Sequence, residues 1–212
     1  MEPQIVPSII AEDQAELDRM LDRLRGKATR IMLDIMDGEF VDNRSLDFDL
    51  QVPRGEFEFE AHLMTVRPLE WIEKYGDRVH YAILQVETLD DVEGAIGTVK
   101  GRGLKVFLAL NPETPLDSVK EYLDALDGVL VLTVHPGSFC VEFLPEVLEK
   151  VRKLRKLRPH LPIEVDGCMN PDHIELASRA GANIFDSGSY VTNSDDVERS
   201  IEELRQAALR AS

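Results

Sequence analysis

Two carboxylates, Asp34 and Asp37, stand three residues apart and follow a short apolar run. The pattern predicts that a β-strand ends here and gives way to a loop. Strand side chains alternate between two faces, so Asp34 is expected to share a face with Met32 and Met36. A carboxylate among apolar neighbours is costly to bury unless it is paired, protonated or bound to a metal. Asp34 is therefore a candidate functional residue, and the alternative is an Asp that caps a turn or helix.

Three side chains of metal-binding type end three separate predicted strands, the second, third and seventh. They are Asp34, His62 and Asp166. Two carboxylates and one imidazole suit a divalent metal of the zinc, iron, manganese or cobalt group. The spacing is too long for a local metal motif, so the prediction depends on a fold that brings the three together. The alternatives are a hydrogen-bonded histidine at a strand end and a helix-capping Asp before Gly167.

The loops after the last two predicted strands have the composition of a phosphate site. They read Asp166-Gly167-Cys168 and Ser187-Gly188-Ser189. Glycine lets the backbone approach an anion closely, and the N–H groups at a helix start can bind it. In barrels of parallel strands, the loops after strands seven and eight often hold phosphate. The alternative is a pair of ordinary strand-to-helix turns, which also favour Gly and Ser.

Short apolar runs alternate with segments of helical periodicity along the whole chain. The pattern predicts eight strand–helix units within residues 1–212, with a short or broken second helix between Asn43 and Gly55. Eight such units fit one (β/α)8 TIM barrel, and the competing fold is an open doubly wound sheet. The barrel is preferred because polar residues follow nearly every strand, where a barrel would gather them at one mouth. They are Ser8, Asp34, His62, Glu87, Asn111, His135, Asp166 and Ser189.

Composition limits the kinds of binding partner and the cellular compartment that we expect for this protein. The formal net charge of −16 argues against nucleic acid, which needs a basic surface, but permits a small phosphorylated ligand. No apolar run reaches the roughly 18 residues of a membrane helix, and no secretion signal is recognisable at the N-terminus. Cys140 and Cys168 belong to no CxxC pattern and are expected to be reduced thiols. A cytoplasmic protein is predicted.

An ordered set of short motifs resembles the ribulose-phosphate 3-epimerase family along nearly the whole chain. Each motif is weak alone, and the order of the set is specific. The motifs are Pro7-Ser8-Ile9-Ile10, Leu33-Asp34-Ile35-Met36-Asp37-Gly38, His62-Leu63-Met64, Ala109-Leu110-Asn111-Pro112, Thr114-Pro115-Leu116, Pro136-Gly137, Glu164-Val165-Asp166-Gly167, Asn170-Pro171 and Gly188-Ser189.

The resemblance implies a phosphate-binding (β/α)8 barrel that interconverts ribulose 5-phosphate and xylulose 5-phosphate by moving a proton at C3. It implies that Asp34 and Asp166 are the two acid/base carboxylates, and that both bind a divalent metal (Zn, Fe, Mn or Co) together with His62. It also implies a substrate site, in which Ser8 contacts the sugar, Met36 and Met64 cap the intermediate, and Gly167, Cys168, Gly188 and Ser189 hold the phosphate. Barrels of this kind are often homo-oligomers.

The sequence departs from the family pattern at several of these positions. Met32 stands where the family has a fourth metal ligand, a histidine. Residues 138–141 replace a glycine-rich loop, and Cys168 replaces a second glycine. Gln85 stands at a family histidine, and Leu132 at a family methionine. The alternative function is therefore a catalytically impaired barrel that binds a sugar phosphate or a protein partner. An aldolase- or decarboxylase-like activity is disfavoured, because relatives of that kind use an Asp-x-Lys-x-x-Asp run that is missing here.

Overall fold

Eight parallel strands close into a barrel in the computed structural model, which describes residues 1–137 and 142–211. Each strand pairs with its sequence neighbour in the barrel, and pairing of the first strand with both the second and the last closes the ring. The predicted TIM barrel is thus confirmed. The strands in chain order are β1 (Gln4–Ile9), β2 (Arg30–Asp37), β3 (Arg44–Ser45), β4 (Glu58–Met64), β5 (Tyr81–Gln85), β6 (Lys105–Leu110), β7 (Gly128–Leu132), β8 (Ile163–Asp166) and β9 (Ile184–Ser187).

Helices surround the barrel and bury their apolar faces against the outside of the strands. Their starts carry ordinary caps: the Asp13 side chain accepts from the Glu16 backbone N–H, and Asn170 does the same for His173. Among the described residues, none of these helices has the length and apolar character needed to cross a membrane. They are α1 (Gln14–Leu24), α2 (Pro68–Tyr75), α3 (Val92–Gly101), α4 (Asp117–Lys120), α5 (Leu148–Leu157), α6 (Pro171–Ala180), α7 (Ser189–Thr192) and α8 (Val197–Ala211).

The strands alternate between an outer and an inner face, and both faces are buried. In β4, Phe57 just before the strand and Phe59, Ala61 and Leu63 within it pack outward against the helices. Glu60 therefore points into the barrel. The interior also holds a smaller apolar cluster, which consists of Val6, Met32, Tyr81, Ile83, Phe107, Ala109, Leu130, Leu132 and Ile184.

The second unit differs from the prediction, because no helix lies between β2 and β4. Instead, β3 runs back antiparallel to the end of β2, with Met36 opposite Ser45 and Asp37 opposite Arg44. The left-handed backbone at Leu46, at φ 53°, is incompatible with continuing a helix there.

Two other predicted helices are shorter than expected. Helical periodicity predicts helices over residues 115–126 and 142–157, whereas the structure has only the short α4 in the first segment and a 3₁₀ turn at Pro145–Val147 before α5 in the second. Apolar periodicity alone does not fix where a helix begins or ends, since turns also bury apolar side chains.

Candidate active site

Asp34, His62 and Asp166 meet at the carboxyl end of the barrel. Asp34 lies on β2 directly opposite His62 on β4, and Asp166 is the last residue of β8. The His62 Nδ1 atom is 3.1 Å from Asp34 Oδ1 and 3.8 Å from Asp166 Oδ2. One ligand atom from each residue lies within 4.8 Å of the others. This geometry suits a single cation held by two carboxylates and one imidazole.

Gln85 fixes the other side of the histidine ring. Its Nε2 atom is 2.9 Å from His62 Nε2, whereas its Oε1 atom is buried without a hydrogen-bond partner. Rotation of the amide by 180° would turn that oxygen toward the ring. Gln85 can therefore donate to Nε2 when Nδ1 carries the proton, and accept from Nε2–H when Nδ1 binds a cation. The orphaned oxygen is what a site built for a bound cation would leave behind.

Burial and mutual charge set the proton affinities of the site. Burial, followed by the negative charge of Asp34, raises the pKa of Asp166 to about 7, and His62 only partly opposes this. Burial disfavours the charged imidazole, but the Asp34 and Asp166 carboxylates outweigh it and raise the pKa of His62. A carboxyl group with a pKa near neutrality can both give and take a proton under physiological conditions.

A cavity of about 730 Å³ opens above these residues. His62 itself is fully buried behind the wall. The other residues predicted for the site all line the cavity: Ser8, Asp34, Met36, Met64, Asp166, Gly167, Cys168, Gly188 and Ser189. The structure thus brings the predicted set together around one space. The predicted change in the phosphate loop at 138–141 lies outside the described residues.

The two glycine loops have backbones that a side chain would disturb. Gly167 has φ 118°, and a Cβ there would come within 2.7 Å of the Val134 side chain. A Cβ on Gly188 would come within 3.0 Å of the Ser8 hydroxyl. Both glycines therefore let the main chain approach the cavity closely. The N–H groups at the start of α7, just after Gly188, have no partner within the helix.

Cys168 holds a left-handed conformation, with φ 56°, which explains why glycine suits this position. The His173 Nδ1 atom lies 2.7 Å from the Cys168 carbonyl oxygen, and the His173 ring stacks on Phe143 at 4.0 Å between ring centroids. These contacts fix the loop. Cys168 is not a free thiol, so the predicted reduced thiol is wrong here, and Cys140 lies outside the described residues.

The methionines near the site fall into two groups. Met36 and Met64 lie opposite each other on β2 and β4, and pack with Val41 to form an apolar wall of the cavity. Met32 is fully buried one layer deeper, within the interior apolar cluster that includes Ile83. It contributes a thioether where the resemblance would place an imidazole.

Other polar residues at the strand ends have structural partners. Asp37 accepts from the backbone N–H groups of Glu39, Phe40 and Val66, and these bonds lower its pKa although burial opposes them. Asp37 thus joins the loops that follow β2 and β4. His135 pairs with an exposed carboxylate at 2.6 Å and stays outside the site.

The sequence patterns did not reveal a group of charged residues inside the barrel. Asp186 lines the floor of the cavity and is 1% exposed, and Glu60, Glu164 and Arg30 lie close by. Burial and the neighbouring Glu164 carboxylate raise the pKa of both Glu60 and Asp186. A charged residue within a short apolar strand, such as Asp186, is the feature of the sequence that could have indicated this group.

The chain is similar to a known protein family along nearly its whole length. The model of the ribulose-phosphate 3-epimerase family matches residues 4–192. Ribulose-phosphate 3-epimerase from Schizosaccharomyces pombe is 32% identical over 100% of this chain and 96% of its own. The cytoplasmic isoform from Oryza sativa subsp. japonica is 35% identical over 96% of this chain and 93% of its own.

Solved structures at lower identity share the fold. 3-Hexulose-6-phosphate synthase from Salmonella typhimurium superposes with a TM-score of 0.69 at 15% identity, covering 99% of this chain and 100% of that one. The family model and the full-length relatives go further than the fold. The chain belongs to the ribulose-phosphate 3-epimerase family of isomerases.

Proposed function

We propose that the protein interconverts ribulose 5-phosphate and xylulose 5-phosphate by proton transfer at C3. The observation that carries the proposal is the pair of carboxylates, Asp34 and Asp166, which meet beside His62 at the floor of one cavity. An epimerase of this type needs one group to take the C3 proton and a second to return a proton to the opposite face. The names of the full-length relatives supply the substrate.

The two carboxylates have opposite roles in proton transfer. In one direction, Asp34 removes the C3 proton, and the electrons of the C3–H bond form a C2–C3 double bond while the carbonyl electrons move to O2. Asp166, whose pKa is about 7, is the proton donor to the other face of C3. The roles reverse for the reverse reaction.

Asp34, His62 and Asp166 are the residues that would hold a divalent cation. A bound cation supplies positive charge next to the developing oxyanion. The residues themselves orient each other: Gln85 contacts the far nitrogen of His62, and His62 holds Asp34 in place. The metal is of the zinc, iron, manganese or cobalt class, because the donor set mixes carboxylate oxygen with one imidazole nitrogen.

The rest of the cavity wall has a role in binding. Met36 and Met64 are each 3% exposed and exclude water from the reacting carbons. Ser8 contacts the sugar. The phosphate binds at the two glycine loops that line the same cavity, at Gly167, Cys168, Gly188 and Ser189. The cytoplasmic location and the homo-oligomer stay predictions.

Exchange of the C3 proton with solvent deuterium tests the proposal. Purified protein is incubated with ribulose 5-phosphate and Zn, Mn, Fe or Co in turn, and NMR follows both exchange and the appearance of xylulose 5-phosphate. We expect exchange in the wild type and none in Asp34→Asn. Asp37→Asn is the matched control, since it removes a carboxylate three residues away that binds only backbone N–H groups.

A second candidate function is a sugar-phosphate-binding barrel without epimerase activity, and Met32 favours it. A thioether is a poor ligand for these cations, so the site has three strong ligands rather than four. Absence of exchange with every metal, combined with saturable binding of ribulose 5-phosphate by calorimetry, would select this alternative and reject the epimerase.

A further inference from the structure

A second group of charged side chains lies inside the barrel, one layer below the candidate active site. It consists of Arg30, Glu60, Glu164 and Asp186, which we call the interior cluster. Carboxylate oxygens of the three acidic residues lie within 4.8 Å of one another. Glu60 and Glu164 are fully buried, and Asp186 is 1% exposed. None of the residues in the cluster is needed for the proton transfers proposed above.

The interior cluster has too few positive groups for its carboxylates. Arg30 forms an ion pair with Glu60, lies 3.6 Å from Glu164 and stacks on the Tyr81 ring at 3.8 Å. Among the described residues, no ion pair within 4.0 Å joins Arg30 to Asp186, although the Asp186 charge acts on the guanidinium. With all groups ionised, one guanidinium and three carboxylates sum to a charge of about −2, and burial of such a charge is strongly unfavourable unless protons or a bound cation compensate it.

Asp186 gives a separate indication that something binds here. Both of its carboxylate oxygens are buried without a hydrogen-bond partner, and they lie beside the carboxylates of Glu60 and Glu164. A buried carboxylate normally satisfies its oxygens with donors or with a cation. In its ionised form, Asp186 has neither among the described residues, and the alternative to a cation is a proton shared between Asp186 and Glu164.

We propose that Glu60, Glu164 and Asp186 form a second cation site, which takes a divalent, oxygen-preferring ion of the Mn²⁺ or Mg²⁺ class. Three carboxylates supply oxygen ligands only, which is the donor set that these ions prefer. Two positive charges would make the interior cluster neutral. The site is distinct from the one at Asp34 and His62, where a nitrogen ligand is present.

The cavity provides an entry path. Asp186 forms part of its floor, so an ion in the cavity meets this carboxylate first and then the two buried glutamates. Asp166 lies opposite Asp186 on the adjacent strand. The two sites therefore share one entrance and are loaded from the same side.

Counting bound manganese tests the proposal without any measurement of activity. The protein is stripped with chelator and equilibrated with Mn²⁺, and bound ion is counted by mass spectrometry and by the EPR signal of the free ion. We expect Glu60→Gln and Asp186→Asn each to bind one equivalent fewer than the wild type. Asp34→Asn should retain the equivalent that those two variants lose. Equal counts in Glu60→Gln and the wild type would overturn the proposal.

Two further measurements guard against misfolded variants. Glu58→Gln makes the same chemical change two residues earlier on β4, at an exposed position, and should bind as many ions as the wild type. Wild-type crystals soaked in Mn²⁺ should show an anomalous peak among the Glu60, Glu164 and Asp186 carboxylates. A map without that peak would mean that protons alone neutralise the interior cluster, and would also overturn the proposal.

Discussion

Three residues of the interior cluster lie on the strands that carry Asp34, His62 and Asp166, two or four positions earlier, whereas the fourth, Asp186, lies on β9. On β4, Glu60 precedes His62, and on β8, Glu164 precedes Asp166. Residues at i and i+2 of a strand share a face, so each of these strands contributes one titratable residue to each layer. The two layers differ in what surrounds the carboxylates, and that difference decides what each layer can do.

We call the candidate active site the upper layer and the interior cluster the lower layer. In the upper layer, carboxylates lie beside a titratable ring and an open cavity. In the lower layer, they lie beside a permanent cation and have little access to solvent. His62 can exchange protons with Asp34 and Asp166, and the cavity admits a substrate. Arg30 stays charged at any physiological pH and contacts an aromatic ring. Carboxylates alone therefore do not identify an active site, and their partners and access distinguish the two layers.

Asp166→Asn is expected to have the largest effect, because it removes one of the two proposed proton-transfer groups in the upper layer. We expect kcat for ribulose 5-phosphate to fall by about 10²–10⁴-fold in both directions, the usual contribution of a general acid–base group. A coupled assay for xylulose 5-phosphate measures it. Glu87→Gln is a control at another strand end, where the carboxylate accepts from the Asn111 backbone N–H. Equal losses in the two variants would contradict the assignment.

Arg30→Met tests the lower layer, and its expected effect is on stability. Removal of the guanidinium from the interior cluster leaves buried carboxylates without compensation, which costs about 3–5 kcal/mol of unfolding free energy. Urea denaturation in chelator measures the loss. Arg25→Met removes an exposed arginine that pairs with Glu56, and should cost much less, because solvent screens an ion pair at the surface. A similar, small loss in both variants would mean that the Arg30 guanidinium does not compensate the charge of the interior cluster.

Asp166 in the upper layer should contribute to the pH dependence of stability, beside the buried Glu60 and Asp186, whose pKa values are also raised. Its pKa in the folded protein is about 7, above the ordinary value near 4, so the folded state binds this proton more tightly than the unfolded state. The resulting stabilisation is complete below about pH 4 and is lost as the pH rises through 7. Asp166→Asn should remove this contribution.

Denaturation of metal-stripped protein between about pH 4 and 7 measures the difference. The unfolding free energy of the wild type should fall relative to Asp166→Asn by up to about 1.4 kcal/mol per pH unit within that window. Parallel curves for the two proteins would place the pKa of Asp166 near its ordinary value and would weaken its role as the proton donor.

The upper layer could be predicted from sequence, and the lower layer could not. Asp34, His62 and Asp166 lie at or near the ends of their strands, and the carboxyl ends of parallel strands must meet in a barrel. Glu60 lies in the middle of a strand whose residues alternate between charged and apolar. The alternation shows that the charged residues share one face, but it does not show whether that face points into the barrel or toward the helices. Outward residues of a barrel face apolar helices, so the polar face of β4 points inward. The missing second helix depends on a left-handed residue at Leu46, which sequence alone does not indicate.

Gln85 offers the finest test of the difference between the layers, because it contacts only the upper one. Gln85→Leu removes the side chain that holds His62 Nε2, and such a loss typically weakens metal binding by about 10–100-fold. We expect weaker binding of the Mn²⁺ ion assigned to Asp34 and His62, whereas kcat should recover at saturating metal. Gln85→Glu keeps an acceptor for Nε2–H and should bind metal at least as well as the wild type. Unchanged affinity in Gln85→Leu would show that Asp34 and Asp166 orient the ring without help from β5.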